Sequence, residues 1–113
     1  YMYPKVQDKD IEEAWILLLN QKLDLIEAKC ISHGGITGTA IDIRIILKEA
    51  LLRNATAIAL CHNHPSGNPR PSREDDNITN SLKKAADTMH IYFVDHVIVA
   101  QQHFYSYREE GKI

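Results

Sequence analysis

Two histidines separated by one residue, with a proline-rich loop behind them, constrain this chain more than any other feature. The segment reads His62-Asn63-His64-Pro65-Ser66-Gly67-Asn68-Pro69-Arg70-Pro71-Ser72-Arg73-Glu74-Asp75. In an extended segment, side chains two residues apart point to the same side, so His62 and His64 can aim both imidazoles at one point. Asp75 can return to that point if the loop folds back. The segment therefore predicts a strand end, a reversing loop and an ordered helix start.

This set of side chains has the composition of a catalytic zinc site. Two neutral imidazoles and one carboxylate leave a fourth position for water, whereas structural zinc sites usually use four protein ligands. The alternative to a zinc site is that these residues form a polar loop that binds no metal. Ser72 and Asp75 also form the spacing of a capping box at a helix start. The Ser72 hydroxyl could instead donate to a developing oxyanion, and one hydroxyl would not serve both roles at full strength.

Composition limits the class of protein. The chain has 113 residues, 44% hydrophobic and 25% charged, which is typical of one soluble globular domain. A formal net charge of −2 weighs against a domain that grips nucleic-acid phosphates. The sequence contains no signal-peptide pattern and no run of apolar residues long enough to span a membrane. Its only cysteines are Cys30 and Cys61, which do not form the pattern of a disulfide framework, so we expect a reducing, cytoplasmic location. The first residue is Tyr1, which is compatible with a piece excised from a longer protein.

Hydrophobic patterning predicts five strands and two helices. The strands are predicted at 15–19 (buried on both faces), 23–32, 56–61, 91–100 and 104–107. Asp42 is a predicted N-cap of a helix that ends at Asn54, and Ser72 is the N-cap of the second helix. The apolar stripe of the second helix is predicted to be Ile78, Leu82, Ala85 and Met89. The order β-β-α-β-α-β-β favours an α/β domain of two or three layers.

The spacing His62-x-His64-x7-Ser72-x2-Asp75 resembles the signature of the JAMM/MPN metalloproteases. Within that superfamily, the fuller string from His62 to Asp75 is similar to the RadC family. The likeness also covers the glutamate-rich start of the first strand, the loop at 32–39 and the segment at 95–99. The resemblance implies an α/β fold over residues 1–113: a single JAB/MPN-like, cytidine-deaminase-like sandwich with a mixed sheet flanked by two main helices.

The resemblance also implies the roles of the site residues. His62, His64 and Asp75 are the expected ligands of a Zn²⁺ ion, and Ser72 is the expected oxyanion donor. Glu12, eight residues before Asn20, is the expected general base, with Glu13 as the fallback on the opposite face. The implied activity is that of a zinc metallopeptidase-like hydrolase acting on a peptide or isopeptide.

One position departs from the pattern of the JAMM peptidases, which usually carry Ser or Thr where this chain has Asn63; the RadC family itself has Asn there. The departure does not disturb the expected ligands, but it leaves the substrate open.

Two other functions remain open at this point. The historical family name implies a DNA-repair-associated nucleic-acid accessory domain, and the third hypothesis is a metal-stabilised interaction module without turnover. A zinc nucleoside deaminase would need H-x-E and P-C-x-x-C motifs, and the sequence has neither. Among the other candidates, His96 is expected either to support the core or to orient a ligand, and His33 to line the cleft. Cys61 is interpreted as a small buried hydrophobic residue pointing away from the metal.

Overall fold

A computed structural model describes residues 11–33 and 41–113. The described elements are β1 (Glu13–Leu19), β2 (Leu25–His33), α1 (Ile43–Leu52), β3 (Ala57–Asn63), α2 (Arg73–Thr88), β4 (Tyr92–Ala100) and β5 (His103–Ser106). Their order is the predicted β-β-α-β-α-β-β. No helix in these two ranges is long and apolar enough to cross a membrane.

The five strands form one mixed sheet in the order β2-β1-β3-β4-β5. β3 and β4 run parallel, and the other neighbouring pairs are antiparallel. Parallel neighbours need a long crossover connection, and α2 provides it between β3 and β4. This arrangement confirms the predicted α/β class with a mixed sheet and two helices. It also places the carboxyl end of β3 next to the start of α2.

Both helices pack on one face of the sheet. Ala14, Ile16 and Leu18 of β1 are fully buried on that face, while Trp15 and Leu17 between them are only half-buried. The prediction that β1 is buried on both faces is therefore wrong for the second face. The core between helices and sheet contains Ile16, Leu18, Ile46, Ala50, Ala55, Ile58, Leu60, Leu82, Ala86, Ile91 and Phe93.

The helix starts are confirmed, but of the predicted stripe of α2 only Leu82 is fully buried, while Ile78 and Ala85 are half-buried. Asp42 and Ser72 are both N-caps whose side chains accept a backbone N–H. On α2 the buried residues are Thr79, Leu82 and Ala86, and Met89 lies at the C-cap with 41% of its surface exposed. Thr79 is not part of an apolar pattern because its side chain carries a hydroxyl.

Several element ends differ from the predictions for local reasons. Leu23 has φ of 66° in a turn that the Asn20 side chain closes, so β2 begins at Leu25. α1 ends at Leu52, before Asn54, which has φ of 55°. β3 runs to Asn63 rather than 61, and this places the first histidine inside the strand. Residues 34–40 of the predicted loop, and the side chain of His33, lie outside the description.

Candidate metal centre

The pairing of β1 with β3 decides which side chains meet at the carboxyl end of β3. Ala14 lies opposite His62 in an antiparallel ladder, and the next residue toward the N-terminus, Glu13, reaches the side chain of Asn63. Because alternate residues of a strand point to opposite faces, His62 and Ala14 share the face that carries the helices. Glu12 is two residues from Ala14, so the same alternation directs it to this face.

The loop and the start of α2 bring His64 and Asp75 to His62. The two Nε2 atoms of the histidines are 3.0 Å apart, and the Asp75 carboxylate places one oxygen 3.2 Å from each of them. Ligands about 2.1 Å from a tetrahedral zinc lie roughly 3.4 Å from one another. The three predicted ligands therefore form one compact donor set with nearly that spacing. Their role as ligands stays a prediction.

The proton of the His64 ring is placed by the loop behind it. His64 Nδ1 is 2.9 Å from the carbonyl oxygen of Asn68. A carbonyl can only accept a hydrogen bond, so Nδ1 carries the proton of the neutral ring. His64 Nε2 is then left with a lone pair that faces His62 and Asp75.

The His62 ring is oriented by a chain of hydrogen bonds that ends on α2. His62 Nδ1 is 2.8 Å from His96 Nε2, and His96 Nδ1 is 2.5 Å from Thr79 Oγ1. Thr79 donates its single hydroxyl proton to the backbone carbonyl of Asp75 at 2.7 Å. His96 Nδ1–H must therefore donate to Thr79, and His96 Nε2 accepts from His62 Nδ1–H. His62 Nε2 is left with a lone pair directed at the same point as that of His64.

His96 is suited to this role because it is held neutral and immobile. Burial, with a further contribution from His62, lowers the pKa of His96 well below its ordinary value. Its ring is fully buried and stacks on Tyr107, with centroids 4.8 Å apart and planes 9° from parallel. The Tyr107 hydroxyl in turn donates to Asp76 on α2 at 2.7 Å. The sequence left open whether His96 supports the core or orients a ligand. In the structure it does both, because it is buried in the core and contacts His62, a predicted ligand.

This donor set fits a divalent cation. Burial raises the pKa of Asp75, but the contacts with His62 and His64 outweigh it when these rings carry a proton, so the net pKa lies well below the usual range and the carboxyl is ionised. Two nitrogen lone pairs and a carboxylate at 3.0–3.2 Å repel one another unless a positive charge lies between them. A proton can supply that charge in place of a metal. Burial lowers the pKa of His64, but the hydrogen bonds with Asp75 and with the Asn68 carbonyl raise it, and the net pKa lies above the ordinary value.

The two glutamates at the start of β1 face opposite sides. The ligand atoms of Glu12, His62 and His64 all lie within 4.8 Å of one another. Glu13 is buried instead, and its carboxylate accepts a hydrogen bond from the Trp15 indole at 3.1 Å. The register therefore brings Glu12, the expected general base, to the site, and it directs Glu13, the alternative, to the other face. The distance allows Glu12 to act either beside a metal or as a further ligand.

Ser72 caps α2 and keeps its hydroxyl proton for another partner. Its Oγ accepts from the Asp75 N–H at 3.1 Å, and the Asp75 carboxylate accepts from the Ser72 N–H at 2.8 Å. The predicted capping box is thereby confirmed. Because the cap uses a lone pair of Oγ and not its proton, capping does not compete with donation as directly as the sequence suggested.

The comparisons with known proteins agree with the resemblance. The family model described as "RadC-like JAB domain" matches residues 1–112. The chain belongs to this family. It is therefore a member of the JAMM/MPN superfamily, as the histidine and aspartate spacing predicted.

Curated relatives of this RadC-like JAB domain are UPF0758 proteins. One from Flavobacterium johnsoniae is 39% identical over 110 residues, covering 97% of this chain and 48% of the relative. One from Symbiobacterium thermophilum is 40% identical over 111 residues, covering 98% and 47%. One from Porphyromonas gingivalis is 39% identical over 109 residues, covering 96% and 48%. The chain thus spans about half the length of these relatives.

The donor set of the RadC-like JAB domain opens into a pocket of about 570 Å³. Its lining residues are Glu12, Ile41, His64, Pro65, Ser66, Ser72, Glu74, Asp75 and Ile78. The candidate base, one predicted ligand histidine, the aspartate and the candidate oxyanion donor therefore share one open cavity, which can admit a chain segment larger than water.

Two residues that lie behind the site were not identified from the sequence. Thr79 and Tyr107 were not selected, although both contact His96. A signal for Thr79 existed, because it lies one helical turn after Asp75 and one turn before Leu82 on the same face. Cys61 behaves as predicted: it is buried in a small cluster on the opposite face, where desolvation raises its pKa to about 12.

Proposed function

We propose that this domain is a zinc-dependent hydrolase that cleaves an amide bond of a peptide or an isopeptide. The observation that carries the proposal is the meeting of two imidazole lone pairs and an ionised carboxylate at 3.0–3.2 Å, inside a pocket that also contains Glu12. His62, His64 and Asp75 would hold the ion. When bound, zinc would polarise the carbonyl and lower the pKa of water from about 16 toward about 7.

The residues of the chain would then do the proton transfer and the positioning. The Glu12 carboxylate accepts a proton from the attacking water and passes it to the nitrogen of the leaving amine. The Ser72 hydroxyl donates to the carbonyl oxygen as negative charge develops there. Ser72 stands at the N-terminus of α2, where the helix dipole also favours negative charge. Its backbone is fixed by the capping box, so the donor is held in place before the reaction.

The proximity of Glu12 to both imidazoles supports two roles that differ in a measurable way. As a general base, Glu12 contributes little to metal affinity, and Glu12→Gln retains zinc but loses hydrolysis. As a fourth ligand, Glu12 contributes to affinity, and Glu12→Gln loses zinc as His62→Ala does. We favour the general base, because His62, His64 and Asp75 already supply three ligands and leave one position for water.

The test is cleavage of a panel of linear and isopeptide-linked peptides by the zinc-loaded protein. Glu12→Gln is the blank, and Glu13→Gln is the matched control, since its carboxylate faces Trp15 instead. We expect cleavage by wild type and Glu13→Gln, and a loss of at least about 100-fold in Glu12→Gln. Equal cleavage by wild type and Glu12→Gln would mean contamination and would refute the proposal.

The same preparation addresses the alternatives. Zinc binding without cleavage of any peptide would favour an interaction module. Tight, salt-sensitive binding to DNA without peptide cleavage would favour a nucleic-acid accessory domain in DNA repair. We also infer a reducing, cytoplasmic location, because the sequence has only two cysteines and β1 lies between their strands. Cys30 and Cys61 are both opposite Trp15, so two strand spacings of about 5 Å each place them beyond the reach of a disulfide.

A further inference from the structure

Asn63, which lies between the two histidines in sequence, is buried and forms hydrogen bonds with the backbone at the start of β1 rather than with either histidine. Asn63 is 1% exposed, and because it follows His62 in β3, the alternation along the strand directs it to the opposite face. Its Oδ1 accepts a hydrogen bond from the Glu13 N–H at 2.6 Å, and its Nδ2 donates to the Ile11 carbonyl at 3.1 Å. The orientation of the carboxamide follows from these partners, because an N–H can only donate and a carbonyl can only accept.

These two contacts enclose one residue. The Ile11 carbonyl belongs to the peptide before Glu12, and the Glu13 N–H to the peptide after it. Glu12 itself precedes β1, and the last ladder pair between β1 and β3 is Ala14 with His62. The side chain of Asn63 thus continues the attachment of β1 to β3 beyond the point where backbone pairing ends, on both sides of the candidate base.

A carboxamide is the group this attachment requires. It offers an acceptor and a donor on two separate atoms, so both peptides are held at once. A carboxylate would keep the bond to the Glu13 N–H but would face the Ile11 carbonyl with a second acceptor. A serine hydroxyl has only one atom for both tasks. The departure of Asn63 from the Ser or Thr of JAMM peptidases therefore has a structural consequence at Glu12.

We propose that Asn63 is the positioning residue for Glu12: it fixes the peptides on both sides of this residue, and so holds the carboxylate beside the two histidines. The inference rests on the proposed function, in which Glu12 moves the proton. Asn63 does not touch the pocket, so its effect is transmitted through the backbone of 11–13. A displacement of about 1 Å in a reacting group can cost about 100-fold in rate.

The test compares Asn63→Ala and Asn63→Asp with a matched control, Asn20→Ala. The side chain of Asn20 also makes two hydrogen bonds to the backbone, in this case by accepting from the N–H groups of Lys22 and Asp24, but it lies just beyond the opposite end of β1. We expect both Asn63 variants to bind zinc within about threefold of wild type, since the ligands are unchanged. We expect kcat to fall by about 10- to 100-fold with little change in KM, and Asn20→Ala to leave both constants unchanged.

A double variant identifies the route of the effect. If Asn63 acts through Glu12, adding Asn63→Ala to Glu12→Gln should slow cleavage no further. A further loss as large as that seen in wild type would overturn the proposal, because Asn63 would then act independently of the base. A fall in zinc affinity that matches the fall in kcat would also overturn it, and would assign Asn63 to the support of the histidines.

A measurement that needs no turnover separates this inference from the proposed function. The ¹³C resonance of the Glu12 carboxyl, assigned by its disappearance in Glu12→Gln, should move when zinc is added to wild type. In Asn63→Ala, with zinc bound to the same stoichiometry, we expect that movement to be reduced by at least half. If wild type cleaves no peptide but this difference is found, the hydrolase proposal fails and the positioning role stands. An unchanged movement in Asn63→Ala overturns the positioning role whatever the activity.

Discussion

Removing the hydroxyl of Thr79 should weaken zinc binding, although Thr79 contacts none of the imidazole nitrogens or carboxylate oxygens predicted to bind the metal. Thr79 is 1% exposed, donates to the Asp75 carbonyl at 2.7 Å, and accepts from His96 Nδ1 at 2.5 Å. Thr79→Val keeps the branched shape and removes only the polar atom. The buried His96 N–H then loses its acceptor, which costs about 1–3 kcal/mol.

The protein can avoid that cost only by disturbing His62. If the His96 proton moves to Nε2, it meets the proton on His62 Nδ1, and His62 must shift its own proton to Nε2 or turn away. Either change removes the lone pair directed at the metal. At 1.4 kcal/mol per factor of ten, the cost corresponds to a zinc Kd raised by about 5- to 140-fold. Some of the loss falls on folding stability instead, because the Asp75 carbonyl also loses its donor.

The assay is zinc titration in competition with a chromophoric chelator at pH 7.5, with circular dichroism to confirm folding. Thr88→Val is the matched control, because Thr88 on the same helix also donates to the carbonyl four residues earlier, at 3.0 Å, but is exposed and far from His96. Thr79→Ser keeps the hydroxyl and should bind zinc nearly as wild type does. A Thr79→Val protein that binds zinc as tightly as Thr88→Val would refute the reasoning.

Three further outcomes follow from the structure. Zinc affinity should fall as the pH drops through the pKa of His64, which Asp75 raises, because the proton takes the lone pair that a metal needs; a Kd unchanged between pH 8 and pH 5.5 would contradict this. Cys61, whose pKa is raised to about 12, should resist iodoacetamide at pH 8 in the folded protein and react in urea, as peptide mass mapping would show. Leu82→Ala should lower the free energy of unfolding by about 2–5 kcal/mol in urea titrations, and Leu52→Ala, 64% exposed, by about 0.5 kcal/mol or less.

Much of the fold follows from local signals. Asp42 and Ser72 were recognisable as N-caps because their side chains satisfy backbone N–H groups within three residues, and this chemistry does not depend on the rest of the chain. Runs of branched apolar residues marked the strands. The ends of the strands depend on distant partners. β3 is longer than predicted because its ladder to β1 continues to His62 and its ladder to β4 to Asn63, and these partners lie far away in sequence.

The burial of particular side chains depended on packing that patterning does not contain. Met89 fits a helical stripe as well as Ala86 does, yet Met89 is exposed and Ala86 is buried, because the position of the sheet selects the face of α2. Thr79 is buried for the same reason. Its hydroxyl is tolerated there only because it bonds to His96 and to the Asp75 carbonyl, and both partners come from the folded arrangement.

The sequence by itself determined the donor types at the site and that they could converge. An H-x-H pair at a strand end and a carboxylate in the first turn of the next helix are separated by one loop, so short-range geometry brings them near one another. It also determined the family, since the motif and its spacing are local.

Only the tertiary structure decided which glutamate faces the site and how the imidazoles are oriented. Glu12 and Glu13 differ by one residue, and the choice between them depends on the register of β1 against β3, where a shift of one residue exchanges the two faces. The orientation of the His62 ring depends on His96, which lies 34 residues away in sequence. That of the His96 ring depends on Thr79, which lies 17 residues from His96. The direction of each hydrogen bond in that chain depends on which groups have protons left to donate, and this is settled only when all of them are packed together.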